Sequence, residues 1–320
     1  MSLLTRIKDL FSENQIIIVL LGLIVGSLFS AQLRWLNDYA TPLLIIVFFT
    51  SSLRLSGEEL LRYGKDWRMM LIAALFMLVV LPFALFMPAR ILAPNWALAL
   101  LIMGAMPTGM TIALVADYFG GKTSLALLIT AATSLLAPFT IPLVFKIAVG
   151  TYVPIPILSM FWSLFLTIVL PLVLALLVKR AAPRLVSRYD RFFRELSVLA
   201  FGLLIAGITA NSTSGNITLL PSLHDLIVLV GATLWLGTLT WVSYDLVTWR
   251  APAERMTIAL CMIYLNNTLA LFIGDKFFHD QHVLPQLILL LVVVNILLFP
   301  IKYVARKITG PRPKLARRKA

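Results

Sequence analysis

Charge is scarce in this chain and cysteine nearly absent. Asp, Glu, Lys and Arg together supply 13% of the residues, about half the share of a soluble globular domain. Hydrophobic residues reach 60% and the mean hydropathy is +0.96, which excludes an ordinary water-soluble globule. The single cysteine, Cys261, permits no intrachain disulfide, so redox compartment is not legible. Also missing are a phosphate-cradling glycine loop, a nucleophile elbow and an HExxH pair. His224, His279 and His282 share no ligand spacing, which speaks against a metal site. Enzyme chemistry and a resident cofactor therefore have nothing to rest on.

What the chain does have is long apolar runs. Measured against the roughly 20 residues that cross a bilayer as helix, apolar cores lie at about Gln15–Ser30, Tyr39–Leu53, Met69–Met87, Trp96–Tyr118 and Thr123–Phe145. A second set follows at about Pro154–Val178, Leu196–Asn211, Leu226–Val247, Ala253–Gly274 and Leu284–Ile301. Ten such spans fill most of the 320 residues and leave no room for an appended soluble domain. The expectation is an all-α polytopic membrane protein: one membrane domain over residues 1–320, with the charged stretch between residues 178 and 196 dividing it into halves of five spans. Before the first span, Ser12 and Gln15 have capping-box spacing. Leu3 to Phe11 reads as a short amphipathic segment on the membrane surface or a frayed tail, and no removable signal is expected there.

The basic residues test the count, because Lys and Arg accumulate in short cytoplasmic loops. Of 27 such residues, 23 fall in the N-terminus, the even loops and the C-terminal tail, and 4 in the odd loops. Both termini are expected in the cytoplasm, and the membrane is read as the cytoplasmic (inner) one. The net charge of +13 is then a matter of topology. The basic tail, residues 302–320, anchors to anionic headgroups, and no nucleic-acid partner is expected. Trp35, Trp67, Trp96 and Trp249 fall near span ends, where amphipathic rings favour the interface.

Five spans per half forces the second half to insert upside down. Residues 15–145 and 154–301 are thus read as two inverted repeats, the architecture of many secondary transporters. The fourth span of each half is interrupted. In the first, Met106-Pro107-Thr108-Gly109-Met110-Thr111 places a Pro and a Gly amid apolar residues, and Pro107 with Gly109 would break the helix. In the second, Tyr264-Leu265-Asn266-Asn267-Thr268 sets two amides and a hydroxyl deep in hydrocarbon, where polar groups turn inward. Each has a plainer reading, a proline without function and asparagines that glue helices. Their coincidence in the fourth span of both halves favours a shared site. Freed N–H groups and helix N-termini hold anions, and freed carbonyls hold cations. No carboxylate lies at mid-span: Asp117, Asp245, Glu254 and Asp275 all sit near ends, where solvated or capping roles are expected. Gly22 and Gly26 form a GxxxG, a close helix contact within the bundle or between protomers.

The stretch Pro107-Thr108-Gly109, then Gly120-Gly121-Lys122, Thr130, Thr133-Ser134-Leu135-Leu136-Ala137-Pro138 and Pro142 resembles helices 4 and 5 of the bile acid:sodium symporter family. The resemblance implies ten transmembrane helices in two inverted five-helix repeats, with discontinuous helices 4 and 9 crossing in a core of spans 3–5 and 8–10. Spans 1, 2, 6 and 7 would form a panel that moves against it. Departures are as informative. Where sodium-binding members carry Ser-Asn in helix 4 this chain has Ile112 and Ala113, and Ala126 replaces a helix 5 Ser. Cys261 and Leu265 replace a Glu and a Gln of helix 9, and Met69 to Met87 contains no counterpart of a helix 3 Gln. The related arsenite permeases carry a helix 4 cysteine that is absent here.

The functional expectation is a secondary transporter of a small organic anion, working by alternating access and not an enzyme. Thr108, Gly109, Thr111, Asn266, Asn267 and Thr268 are the candidate substrate lining. Thr130 and Thr133, with carbonyl oxygens at the breaks, are what remains to hold one Na+; two-ion coupling is disfavoured. The alternative is a non-transporting sensor or scaffold that keeps the fold. Substrate identity, direction, coupling ion and oligomeric state leave no trace in the sequence.

Overall fold

Hydrocarbon offers no hydrogen bonds to a backbone, so apolar runs must pair their own N–H and C=O groups and become helices. A computed structural model describes residues 15–55, 67–109, 112–151, 153–213, 221–278, 283–292 and 294. Among them the regular elements are helical. In chain order they are α1 (Gln15–Leu28), α2 (Ser30–Leu33), α3 (Ala40–Ser52), α4 (Arg68–Leu92), α5 (Pro94–Gly104), α6 (Ile112–Tyr118) and α7 (Thr123–Val149). Then follow α8 (Ile157–Ala181), α9 (Pro183–Arg188), α10 (Asp190–Thr213), α11 (Leu223–Leu246), α12 (Pro252–Ile263), α13 (Asn267–Phe277) and α14 (Val283–Val292). A tight 3-10 turn, Arg34–Tyr39, joins α2 to α3. Helices α4, α7, α8, α10 and α11 are long and apolar enough to cross a membrane; the pair Ile17–Leu28 and Ser30–Ser52, bent by 103°, makes a sixth if counted as one.

The charged stretch after residue 178 is not a loop. It forms α9 and the start of α10, six residues ahead of the apolar core expected at Leu196. Two i,i+4 ion pairs explain this, Arg194–Asp190 at 2.7 Å and Arg191–Glu195 at 3.0 Å, since such pairs support a helix that hydropathy alone would end. The segment Leu3 to Phe11, Ser12, Thr111, His279, His282, the end of the tenth span and the tail 302–320 lie outside the described residues.

Two long helices share a device that hydropathy does not reveal. In α4 the turn Phe76–Val80 widens to π geometry, with Leu81 N–H reaching Phe76 C=O, just before Pro82. In α8 the turn Phe165–Val169 does the same before Pro171, with Leu170 N–H reaching Phe165 C=O. A proline ring crowds the carbonyl four residues earlier and offers no N–H, and a wider turn relieves both problems without ending the helix.

Packing sorts the helices into two bodies. In one, α10 lies against α1, α3 and the Arg34–Tyr39 turn, and α8 packs on α3. In the other, α4 packs on α5, α11 on α12, and α7 on α4, α6 and α12, while α14 meets α13 around Gly274. The bodies touch where α7 meets α8 and where α13 meets α3 and α10.

The glycine pair of α1 belongs to the first body. A Cβ on Gly22 would sit 2.9 Å from Ile205, and one on Gly26 2.5 Å from the Ala206 carbonyl, so GxxxG here lets α1 approach α10 within the chain. Trp35 and Trp249 are exposed as expected of interfacial rings, but Trp96 is buried, its indole N–H donating to Asp225 Oδ1 at 3.0 Å. Trp96 thus anchors the start of α5 to the start of α11.

Candidate functional site

Both interrupted spans are broken, and the breaks meet. Helix α5 ends at Gly104 and α6 begins at Ile112; α12 ends at Ile263 and α13 begins at Asn267. Between the halves the two strands of chain pass antiparallel, Thr108 opposite Leu265. Gly109 N–H donates to Tyr264 C=O at 2.7 Å, and Asn266 N–H to Pro107 C=O at 2.8 Å. Pro107 cannot donate, so its neighbours and the opposing segment must supply the pairing that a helix would have given. Gly109 is required by close approach: a Cβ there would lie 2.9 Å from the Tyr264 ring and 3.2 Å from the Leu265 carbonyl.

The four half-helices form a cross. α5 packs against α13, and α6 against α12. With 11 residues in α5 and 11 in α13, each half spans roughly 16 Å, about half the hydrocarbon thickness. Neither half is long enough to cross a membrane by itself.

Asn266 and Asn267 have different jobs. Asn266 caps α13, its Oδ1 accepting from Leu269 N–H at 3.1 Å, and it is 5% exposed. Asn267 Oδ1 is buried with no hydrogen-bond donor facing it. Thr108 is fully buried, its N–H directed at Thr133 Oγ1 at 3.4 Å and its hydroxyl at Met77 Sδ at 3.6 Å. Thr268 is buried as well. Of the residues singled out in the sequence, the structure thus gathers Pro107, Thr108, Gly109, Asn266, Asn267 and Thr268 at the crossing and adds Thr133 to it.

Thr130 and Thr133 point their hydroxyl hydrogens back along α7. Thr130 Oγ1 donates to Ala126 C=O at 2.9 Å, and Thr133 Oγ1 to Ile129 C=O at 2.8 Å. Their oxygens keep lone pairs on the side away from those carbonyls. Ser134 Oγ and Gln286 Oε1 are further buried oxygens without a partner. Ile112, Ala126, Cys261 and Leu265, the positions at which the resemblance implied oxygen-bearing side chains, are all buried. Cys261 lies against Thr108, one turn ahead of the second break.

Three features of the support escaped sequence reasoning. Met77 on α4 accepts from Thr108. Lys122 binds Glu254 at 2.6 Å, and its backbone N–H donates to Thr257 Oγ1 at 2.7 Å, so the turn after α6 is bolted to the start of α12. That turn needs Gly120 at φ 76° and Gly121, whose Cβ would stand 2.6 Å from Thr257 Oγ1. Lys122 is the one charge in its turn after α6, whereas Glu254 sits between Arg250 and Arg255 and also pairs with Arg250 at 3.5 Å. The third is Asp275, whose carboxylate receives Asn37 Nδ2 at 2.9 Å and Asn211 Nδ2 at 3.1 Å.

The largest hollow described, about 580 Å³, lies between α4, α5 and α11 and is lined by Leu85, Leu100, Ile227 and Trp235 among others. A second of about 280 Å³ lies among Ile46, Phe49, Pro171 and Leu196. No residue of the crossing lines either of these two hollows. Among the described residues no His/Cys/Asp/Glu group could hold a metal.

Long apolar helices around a pair of crossed, broken ones define a multi-pass membrane transporter. The comparisons agree: the Sodium Bile acid symporter family profile matches residues 41–218, more than half of the chain, and the protein belongs to that family. It is similar to the sodium-dependent transporter YocS of Bacillus subtilis, with 24% identity over 226 residues that cover 68% of this chain and 67% of that one. It is also similar to sodium/bile acid cotransporter 7 of Xenopus tropicalis, 26% identical over 236 residues, 70% of this chain and 68% of that protein. The Mus musculus cotransporter 7 is 26% identical over 235 residues, covering 70% and 69%.

Proposed function

We propose that the chain is a secondary transporter of the cytoplasmic membrane that moves a small organic anion by alternating access, both termini facing the cytoplasm. The observation that carries the reading is the main-chain crossing of Thr108 and Leu265 between two broken spans. On this reading the positive N-terminal ends of α6 and α13 would stand near mid-depth, where an anionic group gains from the helix dipole. The broken pairs would each count as one crossing and α1 and α3 as two, which with α14 gives the ten spans of two inverted repeats.

Substrate would meet Thr108, Gly109, Thr111, Asn267 and Thr268, with Asn266 and Pro107 shaping the break. Gly109 N–H and Asn266 N–H are spent on the opposing segment, so polar side chains and the next amides along each half-helix do the recognition. At most one Na+ is coupled, held by the Thr130 and Thr133 oxygens with break carbonyls. The loaded pocket forms when the two bodies part, which would uncover Thr108 and Thr268, both buried here.

Counterflow of labelled organic acids in proteoliposomes, with and without a sodium gradient, tests the reading. Exchange of one or more acids is the expected result; uptake of a cationic amine with organic acids ignored would overturn the anion assignment. The apolar packing of Ile112, Ala126, Cys261 and Leu265 favours a second reading, a sensor or scaffold without transport. Silence across a broad panel, with Pro107→Ala and Asn266→Ala harmless to the cell, would select it.

A further inference from the structure

Two adjacent residues at the end of α13 reach from the crossed-helix body into the other one. Asp275 accepts from Asn37, in the turn before α3, and from Asn211, near the end of α10. Lys276 Nζ donates to Ser163 Oγ on α8 at 3.0 Å and lies 3.4 Å from Thr41 Oγ1 on α3. Its ammonium also stands 5.1 Å from the centre of the Phe272 ring. A lysine in the last turn of a membrane helix would ordinarily extend to the headgroups; this one turns sideways across the seam. All four partners belong to the α1, α3, α8 and α10 body.

At the opposite end of the bundle, four polar contacts among the described residues each stay within one body. There Ser51 meets Ser197 and Lys179 meets the Leu55 carbonyl, both within the α3, α8 and α10 body. Lys122 meets Glu254 and Arg255 meets Asp245, both within the crossed-helix body. Polar bonds thus join the two bodies at the end holding Asn37, Asn211 and Asp275, whereas these four at the other end hold each body to itself.

We infer that Asp275 and Lys276 are a latch that shuts the seam between the two bodies at this end, which the distribution of basic loops makes the outer end. The latch must open for a solute to enter from outside, and this structure is the state closed to that side. Its strength comes chiefly from the carboxylate, since hydrogen bonds to a charged group exceed those between neutral ones. Asn37 and Asn211 present their amide N–H groups to it, so the bonds break cleanly when the bodies part, with water taking over both oxygens. The inference rests on the transporter reading, because only alternating access requires the seam to open.

The test reads accessibility and needs no substrate. Ser212→Cys places a thiol at a buried position one residue from Asn211, where the hydroxyl it replaces makes no hydrogen bond, and the one native cysteine, Cys261, is fully buried, so the parent protein is the blank. Intact cells are treated with a membrane-impermeant sulfonated maleimide. Adding Asp275→Ala is expected to raise the labelling rate of Ser212→Cys about tenfold; Asn37→Ala and Asn211→Ala, which remove one bond each, should raise it by roughly threefold. Asp245→Asn, which breaks an ion pair at the far end, should leave the rate unchanged although it also costs stability. Unchanged labelling in all three latch variants, or an equal rise in Asp245→Asn, overturns the inference. Should Asp275→Ala fail to fold, the two asparagine variants decide from the other side of the seam. Counterflow measured in parallel keeps the readings apart: faster labelling with no exchange of any acid sinks transport and leaves the latch, and active exchange with unchanged labelling does the reverse.

Discussion

Gly109 donates its amide hydrogen to Tyr264 across the crossing, 2.7 Å away, with the Tyr264 ring so close that no Cβ fits at position 109. Gly109→Ala must therefore push the ring or the Leu265 carbonyl outward. Overpacking of this kind costs about 1–3 kcal/mol, and a lowered thermal unfolding midpoint in detergent is expected. The backbone displacement falls on the bridge itself, so counterflow should be lost more completely than stability. A variant with wild-type midpoint and wild-type exchange would mean that the two segments do not pass this closely.

The two asparagines provide a sharper comparison. Asn266→Ala removes the cap of α13 and is expected to cost about 1 kcal/mol, with Asn266→Ser or Asn266→Asp recovering most of it. Asn267→Ala removes a buried oxygen that meets no donor. Its stability should be unchanged or slightly raised, because an unsatisfied buried acceptor is itself a cost, yet exchange should fall sharply if that oxygen faces solute. Equal destabilisation by the two alanines would contradict the division of roles.

This pair also shows where the sequence stops being legible. Proline beside glycine, and amides amid hydrocarbon, announce helix breaks because each violates what a membrane helix needs. That the breaks would face one another followed from span parity. What pairs with what did not: Gly109 and Tyr264, or Pro107 and Asn266, are joined through main-chain atoms, which every residue carries. Nor could Asn266 be told from Asn267, since a cap is defined by local geometry. Hydropathy misjudged Asp190 to Glu195 because ion pairs one turn apart are invisible to an average, and the bond from Trp96 to Asp225 is illegible because 129 residues separate them.

Lys122 and Glu254 fasten the turn after α6 to the start of α12. Glu254 is the more enclosed partner, with 16% of its side chain exposed against 41% for Lys122, so solvent screens the pair in part. A double-mutant cycle with Lys122→Met and Glu254→Gln should give a coupling of about 0.5–1 kcal/mol that shrinks at high salt. A coupling near zero would reduce the pair to a surface contact.

Glycines on α1, α10 and α11 rank themselves by the space beside them. Gly26→Ala meets the Ala206 carbonyl, which cannot yield as a side chain would, and should separate α1 from α10 at a cost of about 1–3 kcal/mol. Gly202→Ala finds its nearest neighbour, the Ile18 methyl, at 3.4 Å and should be near neutral. Gly231 and Gly237 have open space where a Cβ would go; alanine there should stabilise α11 by up to about 1 kcal/mol through backbone entropy. Unfolding midpoints of the four purified variants would check the order.

Sodium dependence follows from how many oxygens survive around α7. Thr130 and Thr133 keep theirs, while buried apolar side chains stand at Ile112, Ala126, Cys261 and Leu265. An ion that must shed most of its water needs several oxygen ligands, and in the proposed function two hydroxyls with break carbonyls would supply one shell. Stimulation by a sodium gradient should thus show a Hill coefficient near one, on the order of a single site. Thr130→Val keeps the shape of the side chain and removes its oxygen, so it should abolish the stimulation while leaving sodium-free counterflow intact. Thr133→Val should impair both, because the Thr133 oxygen also receives the Thr108 N–H at the crossing. A coefficient near two would demand a second shell that these residues do not offer, and stimulation surviving in Thr130→Val would move the ion elsewhere.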